Sequence, residues 1–198
     1  MRRDLRASLI AIVVLTVLFG VVYPFAMTGI AQVVFPGRAN GSLVKLDGRV
    51  VGSRLIGEDF RGEARYFQER PSTATHYSSA ASAFTNLGPN NAVSRDTFKA
   101  NLAAYLKLER PYNPGLRAAD VPTDAVTSSA SGVDPEISVA NADFQARRVA
   151  AVRHLSLATV DRLISQNTNG RLLGVLGESG VNVLDLDIAL DHLEGARR

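Results

Sequence analysis

The sequence predicts an α+β extracytoplasmic domain carried on a single N-terminal transmembrane helix. Three observations predict it. No charged residue lies between Arg6 and Arg38, and at about 1.5 Å of rise per residue a helix of that length outreaches the roughly 30 Å hydrocarbon core of a bilayer. No second run of this kind follows. The remainder, 39–198, alternates short strand-like and helix-like periods with Gly/Pro/Asn turns, and it is long enough to bury a core of its own.

Residues 1–6 read as a cytoplasmic N-terminus, 7–30 as the transmembrane helix (with the apolar run continuing to Gly37), and 38–198 as the soluble domain. Arg2, Arg3 and Arg6, with Asp4 the one acid among them, favour the cytoplasm for the N-terminal side and so place the domain outside. Arg38 and Lys45 weaken the contrast, but long domains translocate largely regardless of charge. Tyr23 falls near the far interface, where Tyr is favoured, and Pro24 beside it requires its freed carbonyl partner to be re-satisfied. Gly29-Ile30-Ala31 has the form of a signal cleavage site, yet the apolar region exceeds the about 7–15 residues of a signal peptide. With no acid or base inside it, the helix anchors the chain or packs on other helices, and Gly20, Ala26, Thr28 and Gly29 permit close approach.

In the domain, two β-prone runs flank Asp47-Gly48 between Ser42 and Ser53, a hairpin signal. Leu55 to Phe67 reads as a loop with short extended pieces, and Arg70 to Asn91 as a Ser/Ala/Thr-rich stretch ending in ordered turn residues. Ser94 is expected to cap a helix with Phe98, Leu102, Tyr105 and Leu106 at helical spacing, stopped at Arg110-Pro111. Ala118 to Pro135 reads as a small-residue loop with room for one short strand. Ser138 opens a second helix to about Arg153, with Ala142, Gln145, Arg148, Val149 and Val152 along one face. Ser156 caps a third, with Leu157, Val160, Leu163 and Ile164 inward and Asn169-Gly170 as a left-handed stop. Leu172 to Leu176 reads as a short apolar piece, Val181 to Asp187 as an alternating strand, and Ile188 to Leu193 as a closing helix.

Of 22 Lys and Arg, four (Arg2, Arg3, Arg6, Arg38) precede residue 39, against one of 19 acids (Asp4), so 39–198 holds 18 of each and is neutral. A nucleic-acid partner has no electrostatic support in such a domain. The absence of cysteine excludes thiol chemistry and Cys-based metal sites, and His76, His154 and His192 lack zinc-like spacing. Ser42-Leu43-Val44-Lys45 has the Ser-x-x-Lys spacing, but in a strand the two residues face opposite sides. Gly174 to Gly180 lacks the spacing of a dinucleotide loop, and no Walker lysine occurs. Ser128, Ser129 and Ser131 could offer a nucleophile to His154, which defines the alternative of a membrane-anchored extracytoplasmic serine hydrolase. No Gly-x-Ser-x-Gly elbow surrounds them, and a polar turn whose hydroxyls satisfy backbone groups explains them more simply. Asp134 and Glu136 fit helix-cap electrostatics better than acid–base work. His76-Tyr77 reads as surface. Asn86 and Asn90 carry oxygens for a hard cation but have no carboxylate nearby in sequence, so a structural loop is expected and no metal. Gln145 and Arg148 on an apolar face demand partners: an internal bond to the serine loop, or a docking or ligand contact.

In order along the chain stand Gly52-Ser53-Arg54-Leu55-Ile56-Gly57; Tyr66-Phe67 with Arg70-Pro71-Ser72; Asn86-Leu87-Gly88-Pro89-Asn90; and Val126-Thr127-x-Ser129-Ala130-Ser131-Gly132-x-Asp134-Pro135. Gln145-x-x-Arg148-Val149-Ala150, Leu176-Gly177, Val181-Asn182-Val183-Leu184 and Ile188-Ala189-Leu190-Asp191 follow. This succession behind a single apolar helix resembles the KdpC family, the small C subunits of bacterial Kdp potassium-transporting ATPases, over nearly the whole chain. The chain departs from the family pattern at Ala81 and Ala83, where glycines are usual, and at Glu58 and Glu136, where Gln and His are frequent.

The resemblance implies a non-catalytic subunit of a high-affinity potassium uptake pump in the bacterial cytoplasmic membrane. Its implied partners are a channel-like potassium-translocating subunit, a P-type ATPase subunit that hydrolyses ATP, and membrane lipid. The implied role is assembly, together with a chaperone-like raising of the ATPase subunit's affinity for ATP. That second role has been linked to the helix matching Gln145, Arg148 and Val149, by analogy with an ATP-binding-cassette signature. Ser129, Ser131, Asp134, Asn86 and Asn90 join these three as docking or binding candidates. An outside domain cannot touch cytosolic ATP, so no bound cofactor is expected on this chain and ATP is expected to act at the level of the complex.

Overall fold

A computed structural model describes residues 1–46, 48–72, 82–88 and 90–195. Asp47, Pro89 and the stretch with His76, Tyr77 and Ala81 lie outside the described residues. The chain divides into two units, Met1–Val51 and Gly52–Arg198.

The first unit is dominated by one helical rod, Arg2–Val34, 33 residues long and strongly apolar, with none of its residues buried. It is long and apolar enough to cross a membrane. It comprises α1 (Arg2–Val17), a π-helical turn (Leu18–Val22) and α2 (Tyr23–Val34). The wide turn answers the problem Pro24 poses. A proline ring collides with the carbonyl four residues back, here that of Gly20, and leaves it unpaired. Widening the preceding turn, where Tyr23 N–H reaches back to Leu18 O, lets the rod continue past it. Phe35, held out of the helical region before Pro36, ends the rod. One further turn, α3 (Pro36–Ala39), is tied back by paired amides of Gln32 and Asn40. The expected hairpin follows as β1 (Leu43–Leu46) and β2 (Arg49–Ser53), with Gly48 at a φ of +79° in its turn.

The second unit holds α4 (Ala92–Glu109), β3 (Glu136–Ser138), α5 (Val139–Val152), α6 (Leu157–Gln166), β4 (Thr168–Asn169), β5 (Gly180–Asn182) and α7 (Val183–Gly195). The strands form an antiparallel sheet in the order β3-β5-β4, with Ile137 opposite Val181 and Thr168 opposite Val181. Ser138 and Ser156 cap α5 and α6 as predicted, accepting from Asn141 N–H and Thr159 N–H. The main core gathers Phe67, Ile137, Ala146, Val149, Val160, Ile164, Val181, Leu186 and Leu190. A smaller one, of Tyr105, Leu106, Leu116, Ala125 and Val126, lies under α4.

Several expectations are corrected. Asn91, not Ser94, caps α4: its backbone is extended and its carboxamide accepts from Val93 N–H, so Ser94 already lies inside the helix. Residues 118–135 form two 3-10 turns, and the strand comes after Pro135. Leu157 remains exposed in the first turn of α6. That helix ends at Gln166, and Asn169, expected with Gly170 as a left-handed stop, instead pairs with β5 together with Thr168. The Val181–Asp187 alternation is strand only through Asn182. There the Asn182 side chain accepts from Asp185 N–H and starts α7, whose buried Val183, Leu186, Asp187 and Leu190 keep a helical period. The short apolar piece Leu172–Leu176 packs into neither core. It is the exposed tip of the β4–β5 connection.

Candidate functional site

The irregular segment Ala64–Gln68 has almost no backbone partner of its own, and buried peptide groups must be paired. Side chains of α5 and α7 pair them. Gln145 Nε2 donates to Gln68 O at 2.9 Å, and its Oε1 accepts from Gln68 N–H at 2.6 Å, so the amide acts as a surrogate strand neighbour. Its second N–H goes to Asn141 Oδ1 at 3.0 Å and its second lone pair to Arg148 at 2.8 Å, which uses all four of its bonds. Arg148, with no exposed surface, donates to Ala64 O, to Tyr66 O at 2.8 Å and, through Nε, to Glu109 on α4 at 2.7 Å. Arg153 Nε donates to Arg65 O and its Nη1 to Asp191, each at 2.7 Å. Asp187 accepts from Phe67 N–H at 3.1 Å. Val149 lies in the core beside them.

Burial lifts the Glu109 carboxyl above its ordinary value against the pull of the Arg148 guanidinium. Asp187 is raised well above its ordinary value by burial, which outweighs the Phe67 N–H and Arg153. Gln145 and Arg148 thus find internal partners, but on the 64–68 segment and on Glu109, not on the serine loop.

The serine loop is a second polar assembly. Ser129 Oγ accepts from Gly132 N–H at 2.9 Å and shares a hydrogen bond with Ser131 Oγ, which accepts from Val133 N–H at 3.2 Å. Asp134 caps Glu136 N–H and accepts from Arg70, which also holds Ser128 O. Glu136 accepts from Asn169 across the sheet at 2.6 Å. The hydroxyls therefore serve the turn's own N–H groups, and among the described residues no histidine bonds to them. Asn86 and Asn90 are exposed, and no group of three potential metal ligands occurs among the described residues.

Two features escaped the sequence. A cavity of about 720 Å³ opens beside α4, walled by Leu87, Phe98, Tyr105 and Val126 among others. Glu69 is 9% exposed and its carboxyl lies against the Gly57 backbone. Burial, with the charges of Glu58, Asp187 and Asp134 adding to it, pushes that carboxyl up to about 9. The only sequence signal for it was the glycine at 57, which a Cβ would bring within 1.8 Å of Glu69 Oε2.

Residues 5–192 match the family model described as the c chain of a K+-transporting ATPase. The chain is 50% identical over 199 residues to a potassium-transporting ATPase KdpC subunit of Sorangium cellulosum, all of both chains being covered. It is 47% identical over 194 residues to the subunit of the same name in Mycobacterium tuberculosis strain H37Rv, covering 98% of this chain and all of that one. For the Methylobacterium nodulans subunit of that name the identity is 45% over 208 residues, with 98% and 100% covered.

Proposed function

The chain belongs to the KdpC family of potassium-transporting ATPase subunits, and from that membership we propose that it is a non-catalytic assembly subunit whose domain acts as a rigid docking body. The carrying observation is that the family-motif polar residues are turned inward, where Gln145, Arg148 and Arg153 fasten the 64–68 segment. Such an arrangement gives a preorganised surface and no reactive group at the motif.

In this reading the apolar rod lies in the bacterial cytoplasmic membrane with the N-terminus inside. The domain stands outside against the channel-like potassium subunit, and hydrolysis of ATP belongs to a P-type ATPase subunit. The burial of Gln145, Arg148 and Val149 supports an indirect effect on ATP affinity, because none of the three can reach a nucleotide while the domain is folded. Coupled conformations of the subunits would carry that effect. The satisfied hydroxyls of Ser129 and Ser131 argue against the hydrolase alternative.

Membranes of potassium-starved cells, solubilised in mild detergent, are expected to yield this chain together with a large P-type ATPase and a channel-like protein. Solitary migration of the wild-type chain would overturn the reading. Asn90→Cys in this cysteine-free chain is expected to react with an impermeant maleimide from outside intact cells. Protection there would move the domain to the cytosol.

A further inference from the structure

The connection between β4 and β5 projects a closed aliphatic tip. Leu172 and Leu176 exchange both backbone hydrogen bonds, at 2.8 and 3.0 Å, and pinch off Leu173-Gly174-Val175. All four large side chains point to solvent, Leu173 being 85% and Val175 74% exposed. Leu173 also holds a φ of +54°, a left-handed conformation that glycine or asparagine would adopt more easily. A leucine kept exposed in a strained backbone is not serving the stability of its own domain. Contiguous exposed apolar surface of this kind marks an interaction site.

The chemistry of the tip discriminates between occupants. Segments that lie on an anionic bilayer carry free Lys or Arg beside their Trp, Phe or Leu, and Trp and Tyr gather at the interface. This tip has no aromatic residue; its one cation, Arg171, is paired with Glu178 at 2.6 Å, and Glu178 is itself exposed. That composition fits a dry aliphatic pocket in a protein rather than an anionic membrane surface. Four side chains are also far short of the roughly 20–30 residues a side of a free-standing interface, which argues against a second copy of this chain held by the tip alone. They suffice as an anchor where another tether already raises the local concentration, and the rod Arg2–Val34 is such a tether.

We propose that the Leu172–Leu176 tip is a hydrophobic peg that seats in an apolar pocket of another subunit of the same transport ATPase. This rests on the reading of the chain as an assembly subunit. Leu173→Cys and Val175→Cys, each in the full chain, are labelled with a maleimide in the purified complex and in the chain purified alone in the same detergent. Labelling in the complex is expected to be slower by about tenfold or more. Leu173→Gly is expected to leave the domain's melting temperature unchanged or raised, since it relieves the positive φ, while retention of the other subunits falls about tenfold. A side chain with a purely structural role would not separate these two readouts.

Equal labelling in complex and free chain, with the wild-type chain assembling normally, would overturn the peg alone. Protection in the free chain reconstituted into phosphatidylethanolamine/phosphatidylglycerol vesicles, but not in detergent, would assign the tip to lipid and overturn it as well. Failure of the wild-type chain to bring down any subunit would remove the assembly reading and the peg with it.

Discussion

Glu69 has both carboxylate oxygens buried, packed on Gly57 and next to the Glu58 backbone. Its carboxyl is held near 9 in the folded domain against an ordinary value of 4.5. Folding therefore takes up a proton between those values. The associated stability is complete below about pH 4.5 and is lost as pH rises towards 9, with a slope of up to about 1.4 kcal/mol per pH unit. Glu69→Gln is expected to flatten that decline and to be the more stable form above pH 7, measured by thermal unfolding of the detergent-solubilised chain between pH 5 and 9. Asp187, raised for the same reason, would retain part of the slope. At the same scale, the Arg148–Glu109 pair is wholly enclosed. Arg148→Met alone leaves a buried carboxylate uncompensated and is expected to cost about 3–5 kcal/mol. Arg148→Met with Glu109→Leu should recover much of this. The recovery stays incomplete, because Ala64 O and Tyr66 O lose their donor. Chemical denaturation of the four members of the cycle reads both.

Helix starts show how much of each element was legible. Ser138 and Ser156 were readable as caps because each immediately precedes a helical period. At α4 the same rule chose Ser94, since Asn90-Asn91 reads equally well as the end of a turn-rich loop. The choice fell to backbone geometry, which is extended at Asn91. Asn91→Ala is expected to cost about 1 kcal/mol and Ser94→Ala less than about 0.5 kcal/mol, a contrast measurable by denaturation. The β5–α7 boundary was illegible for a different reason. Val-Asn-Val-Leu-Asp-Leu-Asp satisfies a period of two as well as a helical face, and only the Asn182 cap and pairing with β3 and β4 end the strand.

At the scale of the molecule, the rod Arg2–Val34 and the domain of Gly52–Arg198 stand on different physics. The rod needs only apolar length, whereas the domain needs close packing. Gly57→Ala, whose Cβ would fall 1.8 Å from Glu69 Oε2 and 2.9 Å from the Asp134 backbone oxygen, is expected to cost about 1–3 kcal/mol and to lower the melting temperature of the domain. The chain should nonetheless stay in the membrane pellet after an alkaline wash.

The sequence by itself determined the apolar rod, the neutral charge of the domain, two of the helix caps and the order of motifs that marks the family. Each of these is written in residues adjacent in the chain, where length, period and cap chemistry act directly. Only the tertiary structure decided that Gln145 and Arg148 hold the 64–68 segment from inside. It also decided that Glu69 is buried against Gly57 and that the Leu172–Leu176 run faces solvent. Gln145 meets Gln68 across 77 residues and Arg148 meets Tyr66 across 82. Periodicity can place a polar side chain on an inner face, but the fold alone chooses which distant backbone arrives there to meet it.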